Sequence, residues 1–483
     1  MSARPTITLA SVLITSLLGI CLTPVQAATP DHWFETLKDN ATDRELHRFL
    51  YNMPKGGDLH NHLAGAIHPE WFHELALAAE ADGYIYYVKT QINNCRFSAN
   101  EFGRNAYLLM FRTVQESMLD AMSDCERGEY TPLKDLNPEQ LTHWKNSQRL
   151  DQPHEGRAEF FETHWPRIGA MLANPHLLAE SIYYNMRSFG KEGLLYLEGQ
   201  VHVHGHIKPD GSAYEAQEVV EVIRNRLKQP DAQATGVTVR FQLSIERFLP
   251  NAEDHLRRTY ELVAQQPDFV AVNMVGREDN DKGYPLRFLA TLRELRRVHS
   301  GVRLSIHAGE VDEPNQHVRD TLLLGADRIG HGVNLITDPD TMLLMRHGPY
   351  MVEINLISNL LLEYVSDYKD HPFPEYLRTG IPVALSTDDR GMWDSTLTDE
   401  FFVAVKEFDL SWSEVRELAN NSIAYSFVEQ AEKQELLGKL NKRLDAFERQ
   451  FRPPLTSRQG FNKLKKQPEY RGFLCRQYQL CAE

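Results

Sequence analysis

Four short segments carry most of the groups able to do chemistry in this chain of 483 residues: LHNH (Leu59 to His62), HAGE (His307 to Glu310), GHG (Gly330 to Gly332) and STDD (Ser386 to Asp389). They supply four imidazoles, one glutamate and two adjacent aspartates. That inventory can hold a divalent metal and move protons around a water at it. Side chains alternate faces along a strand, so His60 and His62 point the same way and can bind one ion. His307 adds a third imidazole and Asp388 a carboxylate, each at an expected strand end. Three nitrogens, one oxygen and no sulfur suit zinc best, one per chain, with iron or another first-row metal as the alternative.

The remaining groups suit acid–base work. Glu310 lies beyond His307 and the small turn Ala308-Gly309, so its carboxyl reaches the open side of the metal position without being a ligand. Held protonated near neutral pH, it is a general acid. His331, between Gly330 and Gly332, is placed to orient or deprotonate a water. Asp389 follows Asp388 just beyond a strand and can hydrogen-bond a ring nitrogen.

These groups need a scaffold that brings His60 beside Asp388 across most of the chain. Eight strands are expected: Asp58 to Leu63, Leu194 to Val201, Val237 to Ile245, Phe269 to Val275, Arg303 to His307, Arg328 to His331, Tyr350 to Ile357 and Ile381 to Thr387. Most are short apolar runs of the kind parallel sheets bury, with amphipathic helical stretches between them. The alternation, with polar chemistry at C-terminal strand ends, predicts an α/β fold, a (β/α)8 TIM-type barrel. About 130 residues separate the first two strands, far more than one crossover needs. Residues 91–156 are therefore expected to form an inserted cap or interaction lobe. Ser413 to Phe451 reads as helical, closing the barrel and packing outside it, with Pro453-Pro454 ending the helix.

Arg4, the apolar run Ile7 to Leu22 and Val25-Gln26-Ala27 form the pattern of a removable signal peptide over residues 1–27, leaving 28–483 as one domain. A lipoprotein reading at Cys21 is the weaker alternative, because Ile20 is bulky. Export to a secreted or periplasmic location agrees with the four cysteines left, Cys95, Cys125, Cys475 and Cys481. Their proximity suggests pairing 95 with 125 and 475 with 481, among three possible connectivities. No later run approaches the length of a membrane span. A net charge of −15 argues against a nucleic-acid partner, and the basic run from Arg449 to Arg471 reads as a solvated helix end and tail.

The segments MPKGGDLHNHLAG (Met53 to Gly65), SIHAGE (Ser305 to Glu310), RIGHGV (Arg328 to Val333), EINLISN (Glu353 to Asn359) and LSTDD (Leu385 to Asp389) resemble, in order and spacing, the motifs of the adenosine/AMP deaminase family. Export, the insertion and NSIAYSF (Asn421 to Phe427) resemble its secreted branch, the adenosine-deaminase-related growth factors. The resemblance implies zinc held by His60, His62, His307 and Asp388, with a water activated there to attack C6 of an adenine ring. It further implies that Glu310 protonates N1, His331 handles the water's proton, Asp389 holds N7 and the Gly276 amide meets N3. Ammonia and a 6-oxopurine such as inosine are the products. A homodimer is implied on the same ground.

One position departs from that pattern. Adenosine-specific members commonly read HxHLDG, whose aspartate contacts ribose, whereas this chain has Ala64. Ribose recognition then falls to Glu198, His202 or His204, or to the insertion, and the substrate is adenosine, deoxyadenosine, adenine or a 5′-modified nucleoside, with AMP the weaker alternative for an exported acidic protein. His202, His204 and His206 could also form a second metal site. Another metal-dependent amidohydrolase on the same barrel is the alternative enzyme; a secreted signalling or binding protein with residual activity is the alternative class.

Overall fold

The computed structural model describes residues 31–93, 95, 109–279, 282–452 and 456–482. The expected signal peptide and Pro453-Pro454 lie outside the described residues. Eight strands form one all-parallel sheet: β1 (Gly57–His62), β2 (Tyr196–Val201), β3 (Thr238–Glu246), β4 (Phe269–Val275), β5 (Arg303–Ala308), β6 (Arg328–His331), β7 (Met351–Ile354) and β8 (Val383–Leu385). Neighbours in sequence are neighbours in the sheet. The ring closes just past β8, where Asp388 N donates to His60 O at 2.8 Å and His62 N to Asp388 O at 3.1 Å. Closure thus places the last motif directly against the first. The fold is the expected (β/α)8 barrel.

Two expected strands are shorter than their apolar runs. Asn355 leads into the helix Leu356–Leu361, so β7 stops at Ile354, and β8 pairs only from Val383 to Leu385. The helical pattern from Ser413 to Phe451 is two helices, Trp412–Ala424 and Gln430–Glu448. The break serves the barrel floor: Arg328 donates to Tyr425 O at 2.8 Å, and Phe427 N donates to Glu198 at 2.6 Å.

Between β1 and β2 the chain forms a small antiparallel sheet of Tyr86–Lys89, Thr113–Gln115 and Tyr130–Pro132, with the first strand central. Cys95 is bonded to Cys125 and Cys475 to Cys481. Leu150 N donates to Met392 O at 2.9 Å, tying this region to the segment after β8. No helix among the described residues is long and apolar enough to cross a membrane.

Barrel interiors are usually filled by branched apolar side chains; this one holds Asp58, His60, Glu198, Gln242, Asn273, Ser305 and Glu353, all fully buried. Buried polar groups need partners, and these partner one another.

Candidate active site

Each expected site residue sits at the C-terminal end of a barrel strand. His60 and His62 end β1, where the β1–β2 register shifts between Asp58 and Asn61; such irregularities re-aim side chains. His307 ends β5, His331 ends β6, and Asp388 and Asp389 follow β8. Asp388 (φ 53°) and His331 (φ 63°) both occupy the left-handed region, a strain that persists only where surroundings enforce it.

One ligand atom from each of His60, His62, His307 and Asp388 falls within a single small cluster. His62 Nε2 lies 3.1 Å from His307 Nε2 and 3.1 Å from Asp388 Oδ1, while His60 Nε2 lies 3.5 Å from the same oxygen. Ligands at about 2.0 Å from a tetrahedral ion stand about 3.3 Å apart, so the donor set fits a small divalent cation. His60 Nε2 is buried without a hydrogen-bond partner, as a ligand atom would be.

The outer nitrogens are fixed. His60 Nδ1 donates to Glu353 Oε2 at 2.7 Å; Glu353 Oε1 accepts from Ser305 Oγ at 2.7 Å and Arg328 Nε at 2.6 Å. Arg328 also pairs with Glu198, which accepts from Gln242 Nε2 at 3.1 Å. Asn273 Nδ2 donates to Gln242 Oε1 at 2.8 Å, and Asn273 Oδ1 accepts from His307 Nδ1 at 2.9 Å. The relay turns the Nε2 lone pairs of His60 and His307 inward, the usual arrangement behind metal-binding histidines. Glu198, expected at the sugar, is instead a buried member of this floor.

His331 is fixed by a second relay. His371 Nδ1 accepts from Phe373 N at 3.1 Å, so its Nε2 carries the proton and donates to Asn359 Oδ1 at 3.0 Å. Asn359 Nδ2 then donates to His331 Nδ1 at 3.0 Å, leaving the His331 proton on Nε2, 3.6 Å from Glu310 Oε1. Burial, then the neighbouring His60, lowers the His331 pKa to about 3, so the ring is neutral.

Glu310 is buried, and burial followed by the nearby Asp388 and Glu278 holds its pKa well above the usual carboxylate range. That shift favours the protonated carboxyl. Its backbone is clamped by Glu278, which accepts from Gly309 N at 3.1 Å, Glu310 N at 3.2 Å and His317 Nδ1 at 2.7 Å. Asp389 is likewise raised, first by burial and then by Asp388 and Glu310, and its Oδ1 is buried without a partner. A protonated Asp389 can donate to a ring nitrogen.

Glu310, Asp388, Asp389, His62, His307 and Gly276 line one cavity of about 280 Å³. Its remaining walls include Phe160, Phe161, Trp165 and Phe248, aromatic faces suited to a flat heterocycle. Phe160–His164 is a π-helical turn, a feature common at functional sites. A Cβ on Gly276 (φ 98°) would stand 2.6 Å from the Phe248 ring, so only glycine brings backbone this close to the cavity. Among the described residues, His202, His204 and His206 form no metal cluster; a second metal site there is not supported.

Sequence reasoning assigned no role to Glu353, Asn273, Arg328, Glu278 or the aromatic wall. Glu353 and Asn273 did leave a signal: each is a lone polar residue inside an otherwise apolar strand run.

A model of the adenosine deaminase family matches residues 138–443. An adenosine deaminase from Aedes albopictus is 29% identical over 440 residues, covering 86% of this chain and 77% of that protein. Adenosine deaminase 2-A from Danio rerio is 25% identical over 426 residues, 82% of this chain and 80% of that one. The fold is similar to the crystal structure of an adenine deaminase from Arthrobacter aurescens, with a TM-score of 0.56 at 20% identity, covering 81% of this chain and 99% of that one.

Proposed function

The chain belongs to the adenosine deaminase family, and from that premise we propose that it is a zinc-dependent purine deaminase that hydrolyses the C6 amino group of an adenine nucleoside to a 6-oxopurine and ammonia. The observation that carries this reading is the convergence of three imidazole nitrogens and Asp388 beside the buried Glu310 carboxyl in one aromatic-walled cavity.

We assign His60, His62, His307 and Asp388 to hold the metal, which supplies Lewis acidity that makes water nucleophilic at neutral pH. The aromatic wall excludes bulk water and packs the purine. Glu310 delivers its proton to N1, so that no full negative charge builds on the ring as C6 is attacked. His331 presents Nε2–H and is neutral, so it orients the attacking oxygen and stabilises charge there; this favours its orienting role over that of a base. Asp389 donates to N7, and the Gly276 amide meets N3.

We also infer export: the two disulfides join all four cysteines beyond residue 27 and suit an oxidising compartment. Residues 91–156 we read as an inserted lobe on a single barrel domain. The deciding experiment is ultraviolet absorbance of the purified protein with adenosine, deoxyadenosine, adenine and AMP, before and after chelation and zinc readdition. A chelator-sensitive fall near the adenine maximum supports the reading; zinc-loaded protein inert toward all four overturns it.

A further inference from the structure

The turn that follows the two aspartates is held at its far end by the segment from Arg471 to Cys481. Asp389 O accepts from Met392 N at 2.8 Å and Trp393 N at 3.1 Å, and Arg390 O accepts from Ser395 N at 2.9 Å. Asp389 to Ser395 is therefore one hydrogen-bonded unit. Trp393 within it is fully buried, its ring centroid 4.9 Å from that of Phe160 in the cavity wall. Asp394 has φ 52°, as Asp388 has φ 53°. A non-glycine residue stays in that region only where its surroundings hold it. Barrel closure holds Asp388; Asp394 is held from outside the barrel.

Three groups grip Asp394. Gly472 N donates to its Oδ2 at 3.1 Å and Phe473 N to its O at 3.0 Å, while Arg471 Nη2 lies 2.5 Å from its Oδ1. The same arginine nitrogen donates at 2.9 Å to His68 Nδ1, in the loop after β1. Arg471 thus bridges the two sides of the seam where the barrel closes. With its side chain 22% exposed and paired, it is not part of a solvated tail. A Cβ on Gly472 would stand 2.2 Å from Asp394 Oδ2, so so close a grip needs glycine.

The gripping residues are anchored in turn. Phe473 and Leu474 are buried in the core. Gln479 (φ 55°) turns the chain back, and Leu480 O accepts from Arg44 Nε at 3.0 Å. The Cys475–Cys481 bond ties the helix Gly472–Tyr478 to that return across a separation of six residues. So short a loop constrains the unfolded chain little, and the bond acts mainly on the shape of the folded segment.

We propose that Arg471 to Cys481 form a clasp that positions Asp389 and the Phe160 wall, with Arg471 as the positioning residue and the Cys475–Cys481 bond as the lock. Among the described residues none from 471 to 481 lines the cavity; the clasp acts through Asp394 and Trp393. Its effect on turnover rests on the deaminase reading above, and its effect on the turn does not.

The test compares the zinc-loaded full chain with Arg471→Gln, Arg471→Lys and Cys475→Ser/Cys481→Ser. Adenosine kinetics and zinc content are measured well below each unfolding midpoint, and hydrogen exchange is followed at the Met392 and Trp393 amides. In Arg471→Gln those amides should exchange about tenfold faster, and kcat/KM should fall by about tenfold to a hundredfold at unchanged zinc content, as a displaced positioning group costs. Arg471→Lys keeps the charge without the fork and should recover at least about threefold. The double cysteine variant should move both readouts in the same direction, by about threefold to tenfold. A merely structural role would lower the unfolding midpoint and leave folded kcat/KM within twofold, which overturns the proposal, as does unchanged exchange. A double cysteine variant equal to the wild type in both readouts overturns the lock. Should the wild type turn over no adenine compound, the deaminase reading falls and exchange alone judges the clasp. If Arg471→Gln fails to fold, Gly472→Ala takes its place with the same expected outcomes.

Discussion

Glu353 reaches His60 from below: its Oε2 lies 2.7 Å from His60 Nδ1, while Oε1 accepts from Arg328 and Ser305. Burial alone would raise the Glu353 pKa, but Arg328 and the hydrogen bond from His60 outweigh it and hold it down to about 2. A permanent carboxylate thus stands behind one assigned metal ligand, tied to the barrel floor by a buried arginine.

Glu353→Gln keeps the shape and removes the charge. Metal affinity should fall between tenfold and a hundredfold, the usual effect of an outer partner on a ligating histidine. Competition against a chromophoric chelator measures it. Unchanged affinity would show that Glu353 serves only the floor.

Metal and proton should compete at His60. In metal-free protein, burial opposes a charge on this ring, but the neighbouring Asp388 and Glu353 carboxylates prevail and raise its pKa to about 10. Below that pH the metal must displace a proton, so affinity should rise with pH, about tenfold per unit from pH 6 to 8. Calorimetric titration of zinc in two buffers of different ionisation enthalpy should report release of about one proton. No buffer dependence would contradict the arrangement.

The barrel was legible in the sequence because parallel strands buried on both faces are short apolar runs, and all eight segments appear as strands. The convergence of the candidate ligands was legible because strand alternation is local: His60 and His62 face one way whatever surrounds them. The second relay was not. Asn359, His371 and Phe373 converge on His331 through tertiary contacts that no spacing encodes. Glu198 misled for a related reason: a carboxylate on an interior strand face can serve the floor or the mouth, and only Arg328, beside it in space, decides which.

Glu310 should set an alkaline limit on activity. A general acid works only while protonated, and burial, Asp388 and Glu278 raise its pKa, so kcat/KM should fall as pH rises through that raised value. Glu310→Gln should lower kcat between 10²- and 10⁴-fold with metal content unchanged. Glu278→Gln removes a neighbouring negative charge and should move the alkaline limb to lower pH, a sign that a merely structural defect would not produce. A pH–rate profile of both proteins checks this; an unmoved limb assigns Glu278 to the backbone clamp alone.

Gly65 should be indispensable although it bears no functional group. A Cβ there would stand 1.6 Å from Asp389 Oδ1. The backbone has little room to retreat, because Gly65 O accepts from Gly391 N at 3.0 Å and Met392 N at 3.2 Å. In Gly65→Ala the Asp389 carboxyl must therefore move, and a displacement of about 1 Å at a positioning group costs on the order of 10²-fold in rate. Asp389 is assigned to the purine and not to the metal, so zinc content should stay at that of the wild type while kcat/KM falls by that factor. Metal analysis together with steady-state kinetics reads both quantities from one preparation. Activity within twofold of the wild type would remove Asp389 from substrate recognition, and loss of zinc would mean that the displaced carboxyl carries Asp388 with it.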